Sequence, residues 1–407
     1  MSDGAAMQAD IAIVGGGMVG ASLALALADT SKRVLLIEAV PPDAALQPSF
    51  DERTTALGNG SRRVFETLGV WARLAAQAAA VAEIRVSNAA HAGAARISAA
   101  QQGLEALGYV VPNRILGQAL WQQLAAQPSI AIRTPARLAD LRLRADEAQL
   151  RVSTADGTEA VSARVVVAAD GAHSLVRSAA GIAAEVEDYD QVAVVVHVAT
   201  DVPASGIAFE RFTATGPLAV LPLSDGRYTV VWTLAPGRAQ EICTLDDGAF
   251  GAALQLHFGW RIGRITRVGA RTPYPLRLSR AGGMVGTRAV LVGNAAQSLH
   301  PVAGQGFNLG LRDAALLAEI LAGAADPGAP AVLEEYERRR AVDRRGMIGF
   351  TDGLVRLFAS ERPGVALGRN LGLALFDLAP GAKRALSRLS WGFGGDTPRL
   401  LRGLRVN

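Results

Sequence analysis

The chain has one cysteine, Cys243, in 407 residues. A lone thiol forms no internal disulfide and no cysteine-based metal site, and such sparing use fits a reducing compartment. Lysine is almost missing too: Lys32 and Lys383 are the only two lysines among 41 basic residues, and the rest are arginine. The formal net charge is nonetheless only +4. With no basic helix and no nucleic-acid motif, nucleic acid is not expected as a partner. No apolar run approaches the length of about eighteen residues that a membrane-spanning helix needs. Asp3 and Asp10 stand where a secretory leader would be basic, and glycines break the apolar stretch that follows, so no signal peptide is expected. The histidines, His91, His173, His197, His257 and His300, do not fall at metal-ligand spacings, and no metal is expected. These absences predict a cytoplasmic protein, compatible with a peripheral seat at the inner face of the membrane.

Half of the residues are hydrophobic and 19% are charged, the balance of a globular chain long enough for about two domains. The first readable unit is DIAIVGGGMVG, Asp10 to Gly20. Ile11, Ile13 and Val14 predict a buried strand, a helix follows over Ala21–Ala28, and Arg33–Glu38 predicts a second strand. Strand, glycine turn, helix and strand make a βαβ unit. Gly15, Gly17 and Gly20 form G-x-G-x-x-G. The first glycine permits a tight turn, the second lets a pyrophosphate approach the backbone, and the third lets helix and strand pack closely. The helix amino terminus then faces the phosphates with the positive end of its dipole. Glu38 ends the second strand, where a carboxylate can accept hydrogen bonds from ribose hydroxyls. This motif alone does not choose between NAD and FAD.

Two later segments do. Val165–Arg177, VVVAADGAHSLVR, resembles the second conserved motif of the aromatic-ring hydroxylases, with Asp170, Gly171, Ser174 and Arg177 at the matching places. Arg288–Asn308 resembles their third motif, matched at Gly293, Pro301, Gly304, Gly306 and Asn308. Arg53 resembles their early FAD-contacting arginine, and Arg114 with Gln118 a pair near the flavin. The likeness runs from about Asp10 to Phe358. One position departs from it: the usual Gly-Asp is Gly293-Asn294 here. An asparagine carbonyl still accepts a hydrogen bond, without the charge that strengthens it. Finer likeness, in Phe209–Thr213 and Ser224–Arg227 among other stretches, is to the ubiquinone-biosynthesis hydroxylases and within them to the 2-polyprenyl-6-methoxyphenol branch.

The resemblance implies an α/β fold. A Rossmann-type FAD-binding domain is assembled from separated segments, 1–83, 110–190 and 283–350. A mixed β-sheet substrate domain, 84–109 and 191–282, is inserted into it, and a C-terminal helical basic region covers 351–407. It implies FAD contacts at Gly15, Gly17, Gly20, Glu38, Arg53, Arg114, Gln118, Asp170, Gly171, Arg177, Gly293, Asn294, Gly304, Gly306, Phe307 and Asn308. The flavin loop Pro301, Gly304, Gln305 and Gly306 adjoins the reacting centre, and the resemblance names no base. The implied reaction uses NAD(P)H as a transient reductant and dioxygen to hydroxylate a small hydrophobic phenol. A flavin dehydrogenase without oxygen insertion and a non-catalytic flavoprotein scaffold are the alternatives.

The last stretch, Gly353–Asn407, carries nine basic and three acidic residues interleaved with leucines and aromatics. That pattern suits either an amphipathic surface for anionic lipid or for other ubiquinone-biosynthesis proteins, or an ordinary helical layer with a solvated basic face.

Overall fold

The structure, a computed structural model, describes residues 6–44, 51–89, 94–359, 372, 375–393 and 396–406. His91, the Pro48 end of the loop expected after Pro41, and Glu361, Arg362, Arg369 and Leu371 of the basic tail lie outside them.

The strand Met7–Val14 sits at the centre of a parallel array. Gly157–Ala168 pairs with it on one side and Val34–Ile37 on the other. Ala289–Leu291 and Ile130–Arg133 extend the array outward, again in parallel. Ile11, Ile13, Leu35, Leu36 and Val165–Val167 are buried. Continuous apolar runs of this kind belong to strands covered on both faces. The helices Met18–Leu27 and Gln305–Gly323 pack against each other, and both are buried along most of their length. This is the expected Rossmann-type α/β architecture.

A second sheet of nine strands lies beside it. Its spine is Ala184–Thr200, which pairs with Tyr228–Leu234 and with Thr272–Ala281. Beyond Tyr228–Leu234 come Gly216–Pro222, Ile207–Thr213 and Glu83–Asn88. Period-two alternation gives this sheet two unlike faces. Leu218, Val220, Val230 and Trp232 pack under the helix Asp247–Phe258, through Phe250 and Leu254. Ala208, Glu210, Ala219 and Val231 turn the other way, toward the nucleotide-binding half. The turn Ser224-Asp225-Gly226 joins two of these strands, as its residues predict, with Gly226 at φ +83°.

The structure departs from the sequence reading in three places. The spine strand was hidden because its first half, Glu185 to Asp190, is acidic and largely exposed, so the apolar signal begins only at Val192. Helix in the C-terminal part begins at Pro330, well before the helical region expected from residue 351, and runs unbroken to Ala359. Its run of arginines and glutamates masked the period, because Arg340 turns inward to pair with Asp313 and Asp343. The segment Asp326–Pro330, which reads as a loose loop, is pinned: Arg288 holds Asp326 at 2.6 Å.

One buried network joins the two long helices. The Asp313 carboxylate is fully buried and accepts from the Gly293 backbone N–H at 3.1 Å, the Gln297 amide at 2.7 Å and Arg340 Nε at 2.8 Å. Arg340 also meets Asp343, which meets Arg312. Removing one partner of such a pair strands a buried charge and costs about 3–5 kcal/mol. Arg340→Met is therefore expected to lower the unfolding free energy by about that amount in urea titrations. The double variant Asp313→Asn with Arg340→Met is expected to lose less than Arg340→Met alone, because no uncompensated charge remains.

Candidate active site

A cavity of about 1240 Å³ lies between the parallel sheet and the inward face of the nine-stranded sheet. Its nucleotide end is built on the first βαβ turn. Gly15 has φ +104°, and a Cβ there would collide with the Ala169 carbonyl. A Cβ on Gly20 would collide with the Gly15 carbonyl, so Gly20 serves helix–strand packing and does not line the cavity. Gly17 does line it and begins the helix Met18–Leu27 without a side-chain cap, which leaves the first N–H groups open toward the cavity. Glu38 is buried beside it. Its Oε2 accepts from Gly16 N at 2.5 Å and its Oε1 from Val40 N at 2.8 Å. Each oxygen keeps a lone pair for a further donor.

The middle of the cavity gathers the later motifs. Asp170 accepts from Leu175 N at 2.8 Å through Oδ2, while among the described residues its buried Oδ1 has no hydrogen-bond partner. Gly171 has φ +84° with open space where a Cβ would be, and Gly306 is open in the same way. Asn294 stands exposed at the wall. Pro301, Gly304, Gln305 and Phe307 complete this stretch. The helix Gln305–Gly323 starts from Gly304 at φ +60° and, like the first helix, has no side-chain cap. Arg53 lines the cavity mouth, paired with Asp51 at 2.6 Å and lying over the Tyr274 ring at 4.6 Å.

Several residues of the expected set stand elsewhere. Arg114 and Gln118 are exposed on the helix Asn113–Ala125 and do not line the cavity; Arg114 pairs with Glu52 at 3.4 Å. From the same helix it is Asn113 that reaches the lining, while Trp121 donates to the Gly16 carbonyl at 3.1 Å. Arg177 is a clasp between motifs, donating to the Ala295 carbonyl at 2.9 Å and the Ala172 carbonyl at 2.8 Å. Gly293 turns the chain at φ +58° behind the wall, where a Cβ would press on Val19. Asn308 does line the cavity, but its amide is consumed within the protein. It donates to the Ala56 and Gly304 carbonyls, both at 2.8 Å, and accepts from Gly58 N at 2.9 Å and Ser61 Oγ at 2.7 Å. Its side chain shapes the loop and leaves the backbone for ligand contact.

Other lining residues escaped the sequence reading. Arg137 and Leu138 flank Glu38 through the bond from Ala136 N to the Glu38 carbonyl, a pairing with no local sequence signal. Glu210 is the more consequential omission. It lies in the inward rows of the second sheet, opposite Val86 and Ala219. Burial pushes its carboxyl up to about 7. His300, next to the flavin loop, is also buried; burial lowers it to about 4, and it accepts from Val302 N at 3.1 Å through Nδ1. The C-terminal helix Pro380–Ser390 and the residues around it close the far end with Phe376, Leu386 and Trp391.

These residues fit FAD. Two uncapped helix termini, backbone left open at Gly171 and Gly306, the Glu38 carboxylate and the unpartnered Asp170 oxygen face one elongated space. Gly17→Val is expected to abolish flavin retention, since a branched side chain would fill the cradle. Asn294→Asp is expected to hold FAD at least as well as the parent, and Asn294→Leu to hold it about 1–3 kcal/mol more weakly. Flavin released on denaturation and titration of the apoprotein measure both; equal affinity across the Asn294 series would place that side chain away from the flavin.

Comparison with known proteins agrees with this geometry. A family model described as FAD binding domain matches residues 8–350. Ubiquinone hydroxylase UbiL of Rhodospirillum rubrum is 39% identical over 404 residues, covering 97% of this chain and 93% of that protein. The 3-demethoxyubiquinol 3-hydroxylase of Escherichia coli is 35% identical, covering 94% and 98%. Among solved structures, p-nitrophenol 4-monooxygenase PnpA of Pseudomonas putida superposes with a TM-score of 0.80 at 20% identity, over 96% of this chain and 99% of that one, and so shares the fold. The chain belongs to the FAD-binding-domain family of FAD-dependent aromatic monooxygenases.

Proposed function

We propose that this enzyme hydroxylates an electron-rich phenol carrying a long apolar tail, a 2-polyprenyl-6-methoxyphenol or a closely related intermediate of ubiquinone biosynthesis, with NAD(P)H as hydride donor. The observation that carries this reading is the shape and lining of the cavity. Beyond the flavin loop it runs between Ile84, Ile97 and Leu107 on one side and Phe376, Leu386 and Trp391 on the other. A ring can sit beside the loop while an isoprenoid chain occupies the apolar arm, where burial stabilises it by about 0.8 kcal/mol per methylene. The names of the relatives, a ubiquinone hydroxylase and a 3-demethoxyubiquinol 3-hydroxylase, support the same substrate class.

FAD, when bound, supplies the redox chemistry, taking two electrons from the nicotinamide and delivering one oxygen atom of dioxygen to the ring. In the balanced reaction the second oxygen atom leaves as water, with NAD(P)H and one proton consumed. The protein's part is positional. Gly17 and the first helix would hold the pyrophosphate, Glu38 the ribose, and the backbone from Gly304 to Asn308 the ring. Pro301, Val302 and Phe212 surround the reacting region with apolar surface that keeps water out, which protects the oxygen transfer from wasteful peroxide release.

The deciding experiment is product analysis under air with polyprenyl methoxyphenol and demethoxyubiquinol as separate substrates. The expected result is one hydroxylated product per dioxygen and per NAD(P)H consumed. Nicotinamide oxidation with no oxygen in the product would favour a dehydrogenase, and no flavin bleaching by NADH or NADPH would favour a scaffold.

Delivery from a membrane follows from the same arm. Leu375 and Leu378 are 58% and 80% exposed, on either side of the cavity-lining Phe376. No described helix is long and apolar enough to cross a membrane. Much of the tail's apolar pattern is turned inward, with Leu400 and Leu401 buried. The lipid-facing portion is therefore the short stretch around Leu378, which precedes the helix Pro380–Ser390 with its exposed Arg384 and Arg388. Leu378→Glu is expected to slow turnover of substrate presented in anionic vesicles while leaving turnover of a short-tailed, water-soluble phenol unchanged. Equal effects on both substrates would remove the membrane-docking reading.

A further inference from the structure

We propose that Glu210 is the acid–base group of the hydroxylation, accepting the proton of the phenol hydroxyl as oxygen is transferred to the ring. This rests on the phenol-hydroxylase reading above.

The placement comes first. In the strand Ile207–Thr213, Ala208, Glu210 and Phe212 face the cavity. Glu210 pairs with Val86 on one neighbour and Ala219 on the other, and Ala219 pairs with Val231. All three flanking residues line the cavity, so a single carboxylate sits in the middle of an otherwise apolar patch. Two residues along on the same face, about 7 Å away by strand geometry, Phe212 shares one buried cluster with Val302 of the flavin loop and Val355, and Val86 packs against that cluster. The carboxylate is thus one side chain removed from the loop that adjoins the reacting centre.

Its surroundings leave it no structural task. Among the described residues Glu210 Oε1 is buried without a hydrogen-bond partner. The neighbouring strand Glu83–Asn88 turns Ile84 and Val86 to this face, while its Glu83 pairs with Arg85 and Arg96. The strand Gly216–Pro222 has no ionisable side chain. The long helix contributes Phe350 and Leu354 to the wall, and its Asp352 is paired with Arg356. The flavin loop contributes Leu299, Pro301 and Val302, and the neighbouring His300 does not line the cavity. Among the described residues no cation pairs with Glu210, and buried carboxylates are ordinarily paired. The missing partner is a hydroxyl donor from the cavity side.

The chemistry fits that donor. A phenol's ring carbon becomes a better nucleophile as its O–H proton departs. Glu210 takes that proton: the phenol O–H bond breaks, a carboxyl O–H forms, and the electron pair moves into the ring as the new C–O bond is made and the O–O bond derived from dioxygen breaks, its other oxygen leaving as water. The ring carbon then loses its hydrogen as a proton and aromaticity returns. Burial brings the carboxyl to about 7, much nearer to a phenol than an ordinary glutamate, so the transfer is less uphill.

The test uses the FAD-loaded full chain. Glu210→Gln keeps shape and removes the base; Glu210→Asp keeps the base on a shorter stem. Both are expected to retain flavin and to be reduced by NAD(P)H without oxygen at the parent's rate. Product formation by the glutamine variant is expected to fall by about 10²-fold or more, with oxygen consumption diverted to hydrogen peroxide, and the limb of the parent's pH–rate profile near neutrality is expected to disappear. The aspartate variant should restore part of the product. A fluorinated phenol, already ionised at the assay pH, should lose much less than the natural phenol in the glutamine variant. Infrared difference spectra of the parent, titrated through neutrality, should show a protonated carboxyl signal that the glutamine variant lacks, a readout independent of turnover. A glutamine variant that hydroxylates at the parent's rate with the same pH limb overturns the assignment and leaves the hydroxylase reading standing. A parent that makes no hydroxylated phenol overturns that reading and the assignment with it.

Discussion

The architecture around the cavity hangs on a buried carboxylate, Asp313. It accepts from a backbone amide, a side-chain amide and a guanidinium, and those three donors come from different parts of the chain: Gly293, Gln297 and Arg340. A fully buried charge survives only with such partners. The consequence is geometric. Holding the Gly293 N–H fixes the turn that presents Asn294 to the cavity. It also draws the turn against the helix Gln305–Gly323, where a Cβ on Gly310 would lie 3.0 Å from Gly293 Cα. Because the same helix starts at Gly304, the cavity wall and the flavin loop are positioned by one rigid element.

Asn308 performs the matching task at the other end of that loop. Its amide makes four hydrogen bonds, to Ala56, Gly304, Gly58 and Ser61, and so ties the loop to the strand Thr54–Gly58 and the helix after it. Sequence resemblance marked Asn308 as a cofactor contact, and the structure shows why a motif residue can be required without offering its side chain to the ligand. Arg177 is a similar case, with its guanidinium spent on two loop carbonyls. A motif fixes which residue is needed; it does not fix which way the side chain points.

The parts legible in the sequence are those set by local chemistry. Gly15, Gly17 and Glu38 could be read because a strand, a turn and a helix in close succession leave little freedom in where they stand. The parts that were not legible depend on register and on distant packing. Glu210 and Arg211 are neighbours in one motif-like stretch, yet only pairing with Val86 and Ala219 decides that Glu210 faces the cavity. The helix Asn113–Ala125 was expected to offer Arg114 and Gln118, but Asn113 and Trp121 stand on the side that packs toward the nucleotide end. In the basic tail the interleaved leucines and aromatics suggested a surface. Leu386 and Trp391 instead close the cavity, packing with Ile97 of the nine-stranded sheet and with Leu107, which lies just before the strand Gly108–Pro112 of a separate three-stranded sheet.

Glu210 also has a thermodynamic side that separates it from the other buried charges. Asp313, Asp343 and Glu83 have cationic partners. Glu210 has none among the described residues, and its carboxyl is raised to about 7 from an ordinary 4.5 by burial. The sign follows directly. Below the unfolded value both states hold the proton and nothing is lost. As pH rises from there to the folded value the unfolded chain gives up its proton while the folded one keeps it, and stability falls; above the folded value the loss is constant. A shift of that size corresponds to about 3 kcal/mol, a sizeable fraction of the 5–15 kcal/mol or so that holds a typical protein together. Glutamine or a small apolar residue at that strand position would avoid the loss. A sequence that keeps an ionisable group in an apolar face, without a partner among the described residues and near the loop after Pro301, accepts a weaker fold near neutrality. Perturbed carboxyls of this kind concentrate where protons are moved, and the proposed phenol substrate would bring such a proton.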